Sequence, residues 1–329
     1  MIQFDRRRAL ISTAGLAVGG MATARLLPEE MLLRDRRPAR SRVAILSAGY
    51  SEGLSDSILM ALRLFGLTLR GKSVLIKPNL VEYIAGVEVN TNPVLVGAVA
   101  EAFLKLGAHS VVVGEGPGHQ RDTYLVLAES GLGSQLRSQN VAFVDLNRDE
   151  LVRVPMRANY TGLDHLWLPR AVLASHFVVS MPKIKTHHWA GVTLSMKNMF
   201  GIVPGTKYGW PKNVLHWKGI HRSILDICAT VPIHFVIADG VVAMEGNGPL
   251  HGTHRRLGKI VLADDPVAAD FTCARLMGLN PSLIWHLDRA AHFLGNGSPE
   301  RIDLIAEGLP QQTVPFDVLP EFAHLQMRA

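Results

Sequence analysis

Short runs of apolar, mostly β-branched residues recur along the chain, each cut off by Gly, Pro, Asn or a charged side chain. Residues 43–47, 73–77, 110–114, 141–145, 177–181, 234–238, 259–263 and 302–306 have this form. They are short for helices and apolar at consecutive positions, which predicts strands buried on both faces. Helical spacing fills the gaps. Ile58, Leu59, Leu62 and Phe65 mark a helix over 55–65. Thr91 and Asn92 lead into Pro93, which opens a second helix, stopped by Gly107. Residues 220–228 and 267–277 follow the same period, the latter with Asp265 as N-cap and Pro266 at its first position. Strand, helix, strand with two-faced strands predicts an α/β fold: a mostly parallel, doubly wound sheet with helices on both faces. Residues 147–169 break the pattern and fit a small hairpin.

The punctuation after the strands carries the candidate chemistry. In an open α/β sheet ligands bind at the carboxyl ends of strands, so polar side chains placed there face a ligand rather than the core. Lys77-Pro78-Asn79 ends one run and Glu115-Gly116 follows another. After Met181 and Pro182 come Lys183, Lys185, His187 and His188, then Ser195, Lys197 and Asn198, a Gly/Pro segment over 201–205, and His216 and His221. Asp239 closes a further run and Glu245 begins a Gly-rich loop. Taken singly, each has a plain structural reading: solvated loop lysines, a turn carboxylate at Glu115, and two histidines of which a strand would aim only one at a site. Their density points to a site instead. The runs ending at Lys77, Gly114, Met181 and Ala238 are expected to share one edge. There Lys77, Asn79, Lys183, Lys185, Ser195 and Asn198 would bind an anionic ligand, with His187 and Lys197 as the catalytic pair. His187, Glu115, Asp239 and Glu245 are the candidate ligands for a divalent metal.

Composition narrows the class. At 329 residues and 48% hydrophobic, the chain has ample material for a core, placed as one α/β domain over 43–308 with an irregular tail over 309–329. A net charge of +6 without an aromatic-interleaved basic stripe argues against a nucleic-acid partner. The two cysteines, Cys228 and Cys273, sit in separate predicted helices and read as core residues; they cannot hold an iron–sulfur cluster of the chain's own. Arg6-Arg7-Arg8 precedes a weakly apolar run over 9–24 that is short for a membrane span and ends in Ala22-Thr23-Ala24, a small-x-small cleavage pattern. Residues 1–24 read as an export signal and 25–42 as a linker.

Three resemblances add to this reading. The order Arg7-Arg8-Ala9-Leu10-Ile11 resembles a twin-arginine signal, which implies passage of the folded protein through the twin-arginine export machinery to the periplasm, or a membrane anchor if the signal stays uncleaved. Lys77-Pro78-Asn79, Thr91 with Pro93, Glu115-Gly116, the run from Met181 to His187, Lys197-Asn198 with Gly201, Asp239-Gly240 with Glu245-Gly246 and Gly248-Pro249, and Asp265-Pro266 with Asp270 together resemble the family called domain of unknown function 362, over residues 43–307. That family implies no reaction, and its association with iron–sulfur modules implies a redox or iron–sulfur partner protein. The segment from His188 to Lys197 followed by Pro204-Gly205 is also similar in order to the nickel-pincer lactate racemases, with Ser195-Met196 where those have a Gly pair. Three readings stay open: an exported enzyme on a small oxyanionic substrate, a non-catalytic periplasmic accessory protein that binds a cofactor or redox partner, and a racemase- or epimerase-like enzyme with a metal cofactor linked to Lys197.

Overall fold

A computed structural model describes residues 35–118, 120–310 and 315–327, so the expected signal lies outside the described residues. Within them the strands are β1 (Ser41–Ser47), β2 (Ser73–Pro78), β3 (Ser110–Glu115), β4 (Ala142–Asp145), β5 (Leu151–Pro155), β6 (His165–Pro169), β7 (Phe177–Met181), β8 (Lys183–His187), β9 (Gly191–Thr193), β10 (Phe235–Glu245), β11 (Thr253–Arg255), β12 (Lys259–Ala263) and β13 (Ile302–Leu304). All but β5 and β6 join one sheet in the order β13-β1-β12-β10-β7-β2-β3-β4, and β5 with β6 makes the separate hairpin expected over 147–169. Pairings of β2 with β3 and β7, of β3 with β4, and of β10 with β7 and β8 are parallel. β12 runs antiparallel between β1 and β10.

Consecutive apolar residues in these strands serve two cores. Val43, Ile45 and Leu75 point to one side, with Ile224 and Ile227 of the helix Ile220–Thr230 and Val267 of the helix Pro266–Leu276. Ala44, Val74 and Ile76 point to the other, with Ile58 and Leu62 of the helix Leu54–Leu64 and Val99 and Phe103 of the helix Pro93–Lys105. Period-2 alternation in a sheet covered on both faces requires this arrangement, and each fully buried Leu, Ile or Phe contributes about 1.5–3 kcal/mol. The expected Asp265 cap forms, its Oδ1 accepting from Val267 N at 2.8 Å, and Asn92 caps the helix that Pro93 opens, its Oδ1 accepting from Val94 N at 2.9 Å.

The structure differs from the sequence reading in four places. β10 does not stop at Ala238 but runs to Glu245, pairing first with β7 and then with β8. Its length gives the polar run after Pro182 a partner, so Lys183–His187 is a buried strand and not a loop. β1 starts at Ser41, inside the expected linker, with Arg40 just before it paired to Asp303 and Arg42 within it paired to Asp264. The tail after 308 docks, burying Phe316 and Leu325, and Leu325 O accepts from Asn280 N at 2.7 Å. Cys228 and Cys273 are both buried and free. No helix among the described residues is long and apolar enough to cross a membrane.

Candidate functional site

The parallel strands β2, β3 and β7 end together, with Pro78 level with Met181, and above these ends lies a cavity of about 300 Å³. Lys77 at the end of β2 and Glu115 at the end of β3 form its floor. Their side chains are buried, and Lys77 Nζ lies 2.5 Å from Glu115 Oε2. Lys77 also donates to Pro78 O (2.9 Å) and Asn198 Oδ1 (3.0 Å), while Glu115 accepts from Leu80 N (3.1 Å) and Gly116 N (2.9 Å). The backbone at Gly201 presses onto this pair so closely that a Cβ there would collide with both Glu115 Oε1 and Lys77 Nζ, the kind of close approach that only glycine permits. Asn79 donates to Asn198 Oδ1 at 3.2 Å, and its own Oδ1, buried in the cavity wall, has no partner among the described residues.

Three more lysines face this floor. Lys185, on β8, is fully buried and, among the described residues, donates only to the carbonyls of Val89 (2.9 Å) and Pro249 (3.3 Å). Lys197 sits on the one-turn helix Ser195–Asn198 with its Nζ 4.8 Å from the centre of the Phe200 ring, and among the described residues it has neither a hydrogen bond nor an ion pair. That turn is held by Asp270, whose carboxylate accepts from Ser195 N (2.7 Å) and Met196 N (3.0 Å). Lys212 enters from a residue with φ of 67°, in the left-handed region that a side chain disfavours by about 1–2 kcal/mol. It donates to Gly116 O (2.8 Å) and Phe200 O (2.9 Å). The lining thus holds four lysines against one carboxylate, Glu115, which is already bonded to Lys77.

Burial dominates the protonation of this group, because a charged amine loses its hydration here and, Lys77 beside Glu115 apart, gains no bonded carboxylate in return. It holds Lys197 at a pKa of about 8, with the Lys77 charge adding to the shift and Glu115 opposing it. It takes Lys212 to about 7 despite the opposing pull of Glu115. Lys185 is pushed well below its ordinary value by burial and then by Lys183 and Lys197, and Lys77 is lowered by burial against the pull of Glu115. His216 is held at about 4 by burial and then Lys197, and His187 is driven well below its ordinary value by the same two causes.

His187 Nδ1 accepts from Trp189 N (3.0 Å) and Ala190 N (3.2 Å), so the neutral ring carries its proton on Nε2. In that tautomer the ring is a hydrogen-bond donor to a ligand. It cannot serve as a metal ligand or general base through Nε2 without surrendering both backbone contacts. His188, expected to point away from His187, instead stacks on it with centroids 4.8 Å apart, because β8 ends at His187 and the chain turns.

The structure brings Lys77, Asn79, Glu115, Lys185, His187, Lys197 and Asn198 together around the cavity. It places Lys183, Asp239, Glu245 and Ser195 outside the lining. Lys183 Nζ bonds Asp239 Oδ2 at 3.0 Å, and Asp239 also accepts from Tyr50 Oη (2.5 Å) and Asn92 N (2.9 Å). This buried knot ties β8, β10 and the start of the helix Pro93–Lys105 together. Glu245 is engaged by Arg255 (2.7 Å) and Asp317 N (3.0 Å), where it anchors the tail. Ser195 Oγ donates to Pro266 O at 3.2 Å and so supports the turn that carries Lys197. The three carboxylates expected to hold a metal are therefore in separate places and each internally paired. Among the described residues no three His, Cys, Asp or Glu side chains gather into a group able to hold a metal ion. Lys212, His216, Trp189 and Phe200 line the cavity without having been singled out as ligand-binding residues. Lys212 and His216 are four apart across the start of the helix Asn213–Trp217, a spacing that puts both on one face.

The chain is 29% identical over 220 residues to the thylakoid-associated protein sll1697 of Synechocystis sp., a match covering 65% of each chain. It therefore spans just under two thirds of that relative's length. Among solved structures it is similar to the lactate racemase apoprotein of Thermoanaerobacterium thermosaccharolyticum, at 12% identity and a TM-score of 0.44 over 77% of this chain and 58% of that one. A Thermotoga maritima protein solved by structural genomics follows, at 10% identity and a TM-score of 0.32 over 59% of this chain and 50% of that one. Likenesses at these scores say nothing about activity. The sequence blocks around the cavity decide the family: residues 74–275, more than half of the chain, match the domain of unknown function DUF362, and the protein belongs to that family.

Proposed function

We propose that the cavity binds a small oxyanion, a carboxylate or phosphate, and that Lys197 acts on it as a proton carrier. One observation carries this reading: the half-buried Lys197 has, among the described residues, no partner for its Nζ in a site whose described lining has four lysines and a single, already bonded carboxylate. A buried cationic group without a counter-charge is costly, and folded chains retain it where a ligand supplies the missing charge. Lys185, Lys212 and the Nε2–H of His187 would hold the anion's oxygens. With a pKa of about 8, Lys197 supplies some free amine at neutral pH, as a general base requires.

The lowered pKa values give a test with a definite sign. An anion favours the charged amines, so it raises their pKa values and binding takes up protons. Sulfate, whose charge is constant over the range, should therefore bind more weakly as pH rises through 7 to 8, by up to about tenfold per pH unit for each proton taken up. Calorimetry in two buffers of different ionisation enthalpy reads the proton uptake directly. Sulfate that does not bind, or binds with no pH dependence between 6 and 9, rules the reading out.

We propose export through the twin-arginine route, on the strength of Arg7-Arg8 and the Ala22-Thr23-Ala24 pattern. The relative named as thylakoid-associated is consistent with a place at or across a membrane. N-terminal sequencing of protein from its native host should find a chain starting after Ala24 in the envelope fraction. A cytoplasmic chain starting at Met1 would sink the proposal.

A further inference from the structure

The cavity is not closed at the end away from the strands. Trp189, Pro211 and His216 line it on one side and line a second, shallow cavity of about 330 Å³ on the other, which Asn213, Trp217 and Ile220 complete. Two of these residues are large aromatics left in water: Trp217 is 79% exposed and Trp189 is 53% exposed. Folding alone does not explain them, since an indole contributes to stability by burial. They are ordered by ring contacts in series. Trp189 meets His188 and His216 edge-on, with centroids 4.6 and 5.1 Å apart, and His216 lies 5.1 Å from Phe200, over which Lys197 sits. A continuous aromatic wall thus runs from the unpaired amine to the exposed groove. At the junction His216 is neutral at physiological pH, and its buried Nδ1 has no partner among the described residues.

From this continuity we propose that the ligand is an amphipathic anion: a carboxylate or phosphate head held among the lysines, joined to a planar aromatic body that lies in the groove between Trp189 and Trp217. The proposal rests on the oxyanion reading and deepens it by naming what the anion is attached to. A simple inorganic ion would fill only the inner cavity and leave the groove wet. A flat ring in the groove would stack on the exposed indoles and bury their faces and its own, an interaction that Trp supplies at little cost in side-chain order.

The test compares methyl phosphate with 1-naphthyl phosphate at one pH by calorimetry, using the full chain, with 1-naphthol as the headless control. The naphthyl ester should bind at least about tenfold tighter than the methyl ester, equivalent to about 1.4 kcal/mol. Trp217→Ala should bring that ratio close to one without changing methyl phosphate affinity, and Trp217→Phe should keep most of it. Trp217 ends a short helix, and its exposure makes the substitutions safe for folding. A ratio near one in the wild type, or a ratio that Trp217→Ala leaves unchanged, overturns the groove proposal while leaving the oxyanion reading intact. If neither ester binds, the oxyanion reading itself fails. If 1-naphthol binds as tightly as its phosphate, the groove is a separate apolar site and the amphipathic ligand is rejected.

Discussion

Replacing Lys197 with Met should abolish sulfate binding and at the same time raise the melting temperature. The two effects have one cause. Lys197 Nζ is an amine in a largely desolvated site with an aromatic ring beneath it and, among the described residues, no carboxylate partner, so on the proposed reading its charge costs the fold and serves the ligand. Two unit charges about 4 Å apart at an effective dielectric near 20 attract by roughly 4 kcal/mol, so losing this one should weaken sulfate binding on the order of a hundredfold or more. Met keeps the apolar stem against Phe200 and removes the unpaired charge, a change expected to stabilise by on the order of 1 kcal/mol, or about 2 °C in a chain of this size. The pH dependence supplies the control. The folded pKa of about 8 lies below the ordinary 10.5, so between those values the unfolded chain binds more protons than the folded one. Wild-type stability should then gain from this group as pH rises from 8 to 10.5, with the full penalty present below 8. The Met variant should lack that gain. A variant that keeps its sulfate affinity removes Lys197 from the site, and one that melts several degrees lower makes it a structural residue.

How much of this was legible in the sequence depends on which signal each residue left. The strand ends at Lys77 and Glu115 were readable because apolar runs stop there abruptly, and the parallel pairing that brings them together follows from strands buried on both faces. Asp265 was readable as a cap because the apolar period starts directly behind it, with a Pro at the first helical position. β8 was not readable as a strand. Its alternation of Lys183, Ile184, Lys185, Thr186 and His187 has the strand period, but with its polar members buried, and that requires a partner strand no local pattern announces. The same gap explains why Lys183 and Asp239 were grouped with the site. Sequence order put them at a strand end, and only the register of β10, with Asp239 opposite Lys183, shows that they neutralise each other. Lys212 and His216 lay in a stretch rich in Gly, Pro and Trp, where the short helix that aligns them has too few residues to show a period.

The floor of the cavity should behave in the opposite way from Lys197. Glu115→Gln keeps one acceptor oxygen, enough for the amide of Leu80 or that of Gly116 but not both, and leaves the Lys77 ammonium buried with only Pro78 O, Asn198 Oδ1 and a neutral amide around it. Breaking a buried pair by removing one charge typically costs 3–5 kcal/mol, so this variant should melt roughly 6–20 °C lower. Lys77→Met should cost a similar amount by stranding the Glu115 carboxylate. The double variant Lys77→Met with Glu115→Gln removes both charges, and its stability should return to within about 1–2 kcal/mol of wild type, since neutral groups of similar volume replace a desolvated pair at little net cost. A double-mutant cycle from denaturant titrations should show a coupling of at least about 2 kcal/mol. Additive losses would mean that the two side chains act independently, contrary to the 2.5 Å contact between them. Sulfate separates fold from function in the same set of proteins. In the double variant the cavity keeps Lys185, Lys197 and Lys212, so a charge count alone predicts that binding survives. The pair also has a positional task, because Lys77 bonds Asn198, the neighbour of Lys197 on the same helical turn. A refolded double variant that has lost sulfate affinity would show that Lys77 and Glu115 hold the Lys197 turn in place, whereas full affinity would confine their role to the stability of the sheet edge.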